Sequence, residues 1–161
     1  MKDRDIIAVL HNVRSVHNVG SIFRTADGAG VRKIYCAGIT PAPLDRFGRP
    51  RADLAKVALG AERTVAWEAA RSTAVLLARL REDGYAIIAL EQDEHSIPHN
   101  KLPPAIRRRK LCLVLGDEVR GLPKSILARA DRILEIPMCG KKESLNVAVA
   151  FGVAAYALTN N

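Results

Sequence analysis

The segment that most limits what this chain can become is Val147–Leu158 (VAVAFGVAAYAL), which carries no charged or strongly polar side chain. A helix on a protein surface needs one apolar stripe, whereas a helix apolar all round must be covered on more than one side. A membrane span needs about 20 consecutive apolar residues. This run falls well short of that, so a buried helix is expected. Before it comes a short apolar run, Ile133–Met138, broken by a proline and followed by a Gly-Lys-Lys-Glu loop and then by Ser144 and Asn146. Both residue types favour helix starts, where unpaired amides and partial positive charge gather. A loop leaving the carboxyl end of a strand and entering a helix is the usual ligand position of open α/β sheets. On its own residues, the segment reads equally well as one wall of a ligand pocket or as a plain strand-to-helix connection.

Hydrophobic periodicity organises the rest of the chain. Ile6–His11, Lys33–Gly38, Tyr85–Leu90 and Lys110–Gly116 are apolar runs that read as strands buried on both faces. Helical spacing runs through Val19, Ile22, Phe23 and Ala26 in Val19–Ala29, which Asn18 can cap, and through Leu76, Leu77 and Leu80 in Ser72–Glu82. Shorter helices are expected at Ala52–Leu59 and Pro123–Ala130, and a short strand at Thr64–Trp67. Asn12–Asn18, Ile39–Arg51 and His95–Pro104 read as loops. Strands alternating with helices predict an α/β fold, a mainly parallel sheet with helices on both faces, built as one domain over residues 1–161.

Composition narrows the function. With 161 residues, 48% of them hydrophobic, the chain can bury a proper core. The charged start Met1–Asp5 and the short run Ile6–Leu10 do not make a secretory leader. Cys36, Cys112 and Cys139 are odd in number and far apart, which argues against a disulfide framework or zinc site and suits a reducing cytoplasm. Lys and Arg number 25 against 17 Asp and Glu, a formal net charge of +8, which favours a polyanionic partner, nucleic acid above all. Aromatics are only 4%, too few for a base-stacking platform, so RNA contact is expected from charge and loops. Arg46, Arg49 and Arg51 in the proline-rich loop, the run Arg107–Lys110, and Lys141 with Lys142 are the candidates. A solvated basic surface explains each cluster singly at least as well.

Several motifs are absent. Gly28-Ala29-Gly30 lacks a third glycine and does not follow a strand, so the dinucleotide fingerprint that an oxidoreductase would need is missing. No GxxxxGK[ST] phosphate loop occurs, and no serine sits in a nucleophile elbow. His95 and His99 have half of a zinc-site spacing but no cysteine pair nearby, so no metal is expected.

Three segments do place polar residues just after strands: Asn18–Arg24, Leu115–Pro123 and the closing Ile136–Val147. Together they resemble the SpoU (TrmH-like) branch of the SPOUT RNA methyltransferases. NxGxxxR is matched by Asn18, Gly20 and Arg24; GxExxGL by Gly116, Glu118, Gly121 and Leu122; IPM and SLNV by Ile136–Met138 and Ser144–Val147. The likeness spans nearly the whole chain with order and spacing kept, and it is closest to minimal, single-domain members. It implies a C-terminal deep trefoil knot, S-adenosylmethionine held in that knot, a homodimer with its active site near the subunit interface, and methyl transfer to a ribose 2′-hydroxyl of tRNA or rRNA. It implies no membrane partner. Carried to this sequence, the cofactor site would comprise Leu90, Glu91, Leu115, Gly116, Glu118, Gly121, Ile136, Pro137, Met138, Ser144, Leu145 and Asn146.

Arg24 matches the catalytic residue of that family. A guanidinium is a poor base at ordinary pH, so Arg24 is read as gripping the RNA phosphate and orienting the 2′-hydroxyl, with direct proton abstraction left open. Asn18, Glu118, Ser144 and Asn146 would hold the arginine, loops and ribose in place. The rival reading is a basic RNA-binding module of the same fold without turnover.

Overall fold

The computed structural model describes residues 4–160; Met1–Asp3, part of the charged start, and Asn161, the last residue of the expected domain 1–161, lie outside the described residues. Seven strands form one sheet: β1 (Ile6–His11), β2 (Lys33–Ala37), β3 (Ala66–Ala70), β4 (Tyr85–Leu90), β5 (Ile97–Pro98), β6 (Lys110–Leu115) and β7 (Arg132–Glu135). Their order is β3-β2-β1-β6-β4-β7-β5, and every pairing is parallel. Successive strand residues point to opposite faces, so the continuous apolar runs feed two cores at once. Ile6, Ala8 and Leu10 join Ile34, Ile88 and Leu113 on one face, and Ile7 and Val9 join Tyr35, Ile87 and Val114 on the other.

Helices α1 (Val16–Ala29), α2 (Ala52–Ala58) and α7 (Val147–Thr159) supply the first core, and α4 (Thr73–Glu82) and the single turn α6 (Lys124–Leu127) supply the second. Two further turns, α3 (Ala61–Thr64) and α5 (Pro104–Arg107), complete the chain. Helix layers on both faces leave no solvated side for the inner strands, which explains why those strands carry no polar alternation.

Element ends differ from the periodicity in instructive ways. α1 begins at Val16, because the Ser15 hydroxyl, not Asn18, caps it by accepting the Asn18 N–H at 3.1 Å. The last strand stops at Glu135, leaving Ile136–Met138 as an extended loop, and the expected helix Pro123–Ala130 shrinks to one turn. β3 starts at Ala66, after a helical turn where a strand was expected from Thr64. The His95–Pro104 loop contains the two-residue edge strand β5.

The sharpest difference concerns α7. Phe151, Ala154, Ala155 and Leu158 are buried, but Val149, Val153 and Tyr156 are 52%, 37% and 43% exposed. The chain covers one face of its most apolar helix and leaves the other open. The carboxyl end of α7 is closed by two arginines: Arg4 Nη1 donates to the Leu158 carbonyl at 2.7 Å and Arg107 Nη1 to that of Ala157 at 3.1 Å. Cations satisfy the last carbonyls of a helix, so Arg107, expected among the RNA-facing residues, points inward. Among the described residues no helix is long and apolar enough to cross a membrane.

α1 packs against α2 through Gly20, where an added Cβ would lie 2.9 Å from both the Leu54 carbonyl oxygen and Val57 Cβ. Gly20→Val is expected to cost about 1–3 kcal/mol of stability through overpacking. It should appear as a lower urea midpoint with an unchanged m-value; a wild-type midpoint would show that the helices separate freely.

Candidate active site

β4, β6 and β7 are neighbours in the sheet, and the loops leaving their carboxyl ends surround a cleft of about 540 Å³. Its floor is the turn after β6. Gly116 and Gly121 face each other so closely that a Cβ on Gly116 would sit 2.5 Å from the Gly121 carbonyl carbon and 2.7 Å from the Leu122 nitrogen. Gly121 has φ +65°, a left-handed conformation that suits glycine. The Gly121 N–H donates to the Asp117 carbonyl at 2.9 Å, and the Asp117 Oδ1 accepts the N–H groups of Val119 (2.7 Å) and Arg120 (3.0 Å). These backbone donors, of Arg120 first and then Val119, hold the Asp117 carboxyl below its ordinary range. From the β4 side, Glu91 accepts the Leu122 N–H at 2.9 Å and the Gln92 N–H at 3.0 Å.

A short polar chain ties this turn to both helices. Glu118 accepts the N–H groups of Arg14 and Ser15, each at 3.1 Å, at the entrance to α1, and the Asn18 side-chain amide at 3.3 Å. The Asn146 side chain donates to Asn18 Oδ1 at 3.2 Å and, through Oδ1, accepts the Ala148 N–H at 2.9 Å, capping α7. Partial burial pushes the Glu118 carboxyl up, but its own N–H, those of Arg14 and Ser15, and the Asn18 amide outweigh this and lower it. A carboxylate at the head of α1 also meets the positive end of the helix.

Of the residues singled out from sequence, Asn18, Leu90, Glu91, Leu115, Gly116 and Glu118 line the cleft. So do Gly121, Ile136, Met138, Ser144, Leu145 and Asn146, whereas Pro137 does not. Gln92, Arg120 and Glu135 are further walls that no motif had marked. Gln92 is the most telling of these: its side-chain amide donates to the Glu143 carbonyl, tying the β4 loop to the loop before α7. No histidine is among the walls.

Arg24 lies elsewhere. It is exposed on α1, beside a shallow depression with Asp27, Ala58–Ala61, Arg63 and Thr64. Six helical steps turn its side chain about 120° away from that of Asn18 and carry it about 9 Å along the axis, and Asn18 lines the cleft while Arg24 does not. Arg46, Arg49, Lys141 and Lys142 are exposed, while Arg51 is set deeper and its N–H binds the Pro43 carbonyl at 2.9 Å.

Because the folded pKa values of Asp117 and Glu118 are lowered, the unfolded chain binds more protons as pH falls below about 4, and the stability they contribute is lost there. Chemical denaturation across pH should therefore show wild type more stable than Glu118→Gln near neutrality, with the gap closing in acid. A gap independent of pH would contradict the lowered carboxyl.

Comparison with known proteins bears directly on this site. The SpoU rRNA Methylase family profile matches residues 5–156. The 23S rRNA (guanosine-2'-O-)-methyltransferase RlmB of Salmonella typhi is 30% identical over 157 residues, 97% of this chain and 60% of the relative. The AdoMet-bound rRNA methyltransferase from Sinorhizobium meliloti superposes with a TM-score of 0.86 at 25% identity, covering 99% of this chain and 57% of that one. The TrmH/SpoU tRNA modifying enzyme of A. aeolicus gives 0.82 at 26% identity, with 98% and 76% covered. This chain thus spans about three-fifths of the length of the curated relatives it matches. From residue 5 to residue 156 the profile, the parallel sheet and the three-loop cleft agree, and the chain belongs to the SpoU rRNA methylase family.

Proposed function

We propose that this protein is an S-adenosylmethionine-dependent RNA methyltransferase acting on a ribose 2′-hydroxyl of tRNA or rRNA, working as a homodimer in the cytoplasm. The observation that carries the reading is the meeting of three separated sequence segments at one cleft, joined through Glu118, Asn18 and Asn146. The named relatives, an rRNA guanosine-2′-O-methyltransferase among them, make rRNA the first substrate to try.

The residues present fit the cofactor. The cleft has room for it, and Leu90, Leu115, Ile136, Met138 and Leu145 give apolar walls for a flat adenine, with backbone amides and carbonyls at its edges. The paired glycines of the floor leave no Cβ in the way. Glu91, Asp117 and Glu135 set negative charge around a site for a sulfonium and an ammonium. S-adenosylmethionine, when bound, would supply an electrophilic methyl group, which the ribose oxygen would take in line as the carbon–sulfur bond breaks and the neutral thioether S-adenosylhomocysteine leaves. The protein's part is then mostly orientation. Asn18, Glu118, Ser144 and Asn146 hold the loops and the ribose.

Arg24 would come from the partner subunit, its guanidinium gripping the phosphate beside the target ribose and easing loss of the hydroxyl proton. The open α7 face supports this assembly: Val149, Val153 and Tyr156 continue from Val147 and Ala150 at the cleft, and Tyr156 reaches Gly28 of α1. A second copy seated there would bury the face and bring its own α1 toward the cleft. Lys141, Lys142, Arg46, Arg49 and Arg51 would meet the RNA backbone. Threading of the segment after β7 is supported by the sheet order, since β7 lies between β4 and β5, whose own connection is short.

The test is transfer of tritium from labelled S-adenosylmethionine to rRNA. Arg24→Ala is expected to lower transfer at least about 100-fold while calorimetric cofactor binding is kept. Wild-type transfer by that variant would remove Arg24 from the reaction. Salt-sensitive RNA binding with no cofactor binding and no transfer would leave a binding module in place of an enzyme.

A further inference from the structure

Phe47 is the most exposed aromatic side chain of the protein's surface loops, 65% accessible at the tip of a hairpin between β2 and α2. A ring this exposed at a loop tip gains little from burial. The hairpin that presents it is nevertheless firmly built. Leu44 bridges to Pro50, the Asp45 N–H donates to the Arg49 carbonyl at 2.8 Å, and the Asp45 Oδ1 accepts the N–H groups of Phe47 (2.8 Å) and Arg49 (3.0 Å). Gly48, with φ +75°, makes the reversal. Two guanidiniums flank the ring, Arg46 at 4.7 Å and Arg49 at 4.8 Å from its centroid.

The foot of the hairpin is bonded to the loop that serves the cleft. The Asn12 side chain accepts the Ile39 N–H at 3.1 Å, and the Thr40 hydroxyl accepts the Val13 N–H at 3.1 Å and donates to the Leu10 carbonyl at 2.8 Å. Arg14 and Ser15, next along that loop, are the residues whose N–H groups Glu118 accepts. The hairpin therefore stands on the same carboxyl edge of the sheet as the cleft, held by a continuous set of short bonds.

The geometry points to Phe47 as a stacking residue for an unpaired RNA base near the methylated nucleotide, with Arg46 and Arg49 as its phosphate partners. This deepens the methyltransferase reading and rests on it for the identity of the RNA. Every base has a π-face, and a ring held out by a rigid loop accepts one at little ordering cost. A base that displaces the Arg46 guanidinium from the ring keeps the stack and releases that arginine to the neighbouring phosphate, while Arg49 stays anchored to Asp45 at 3.1 Å. The surrounding charge is complementary to RNA, not to an acidic-poor protein surface, in a chain of net charge +8. One well-placed ring does here what low aromatic content argued against: it gives a single stacking position without a platform.

The test measures binding of a fluorescein-labelled single-stranded oligoribonucleotide and of the matching RNA duplex to the full chain at fixed salt. Phe47→Ala should weaken single-strand binding about 5- to 150-fold, the range of losing one stacked base, and leave duplex binding, thermal midpoint and S-adenosylmethionine binding unchanged. Phe47→Trp should restore the affinity. Equal losses on both RNAs, or no loss on either, would overturn the stacking role. So would a change of oligomeric state in Phe47→Ala, which would make the ring a contact between copies of the chain. If S-adenosylmethionine does not bind wild type while the single-strand result holds, it is the methyl-transfer reading that fails.

Discussion

The hydrogen bonds that Glu118 accepts from the head of α1 and from Asn18, and that Asn18 accepts from Asn146, are the constraint on which the site depends. They join residues about a hundred or more positions apart in sequence. Each is modest by itself, on the order of 1 kcal/mol net. Their value lies in geometry, because the three loops they join leave three different strands and have no backbone pairing with one another to fix their relative positions. The lowered carboxyl of Glu118 marks the direction of this coupling: the folded loops stabilise its charged form.

Around that chain the fold removes the remaining freedom. The Gly116–Gly121 contact closes the floor at a spacing that only backbone can occupy, and Glu91 fastens it to the β4 loop through the Leu122 amide. Asn146 caps α7, so the same side chain that joins the relay also orients the helix whose first turn forms a wall. α7 then carries the arrangement outward, because its uncovered face begins at the cleft. One element thus walls the cleft and carries the open apolar face, so under the proposed homodimer a helix apolar on all sides would join the cleft to the second copy.

Much of this was legible in the residues. The four central strands, the helical spacing of α1 and α4, and the position of α7 follow from periodicity, because burial on one or two faces writes itself into the sequence. The ends were less legible. Asn18 looked like a cap, but Ser15 competes for that role and leaves Asn18 for the relay; both are good cap residues, and only tertiary contact with Glu118 separates them. Gln92 gave no signal, since a polar residue after a strand reads as a solvated loop until a second loop comes near it. Arg107 read as surface charge because a basic run carries no information about the carbonyls at the end of α7. Phe47 was hidden by an average, as a low aromatic fraction says nothing about where one ring is placed.

The most direct measurement is a double-mutant cycle on S-adenosylmethionine affinity, using Asn18→Ala, Asn146→Ala and the pair, read by calorimetry. If the relay holds the cleft as one unit, wild type binds saturably and the two substitutions are coupled by at least about 0.5 kcal/mol, the second costing little once the first is made. Strictly additive losses, or no saturable binding by wild type, would contradict a single cleft assembled through these side chains.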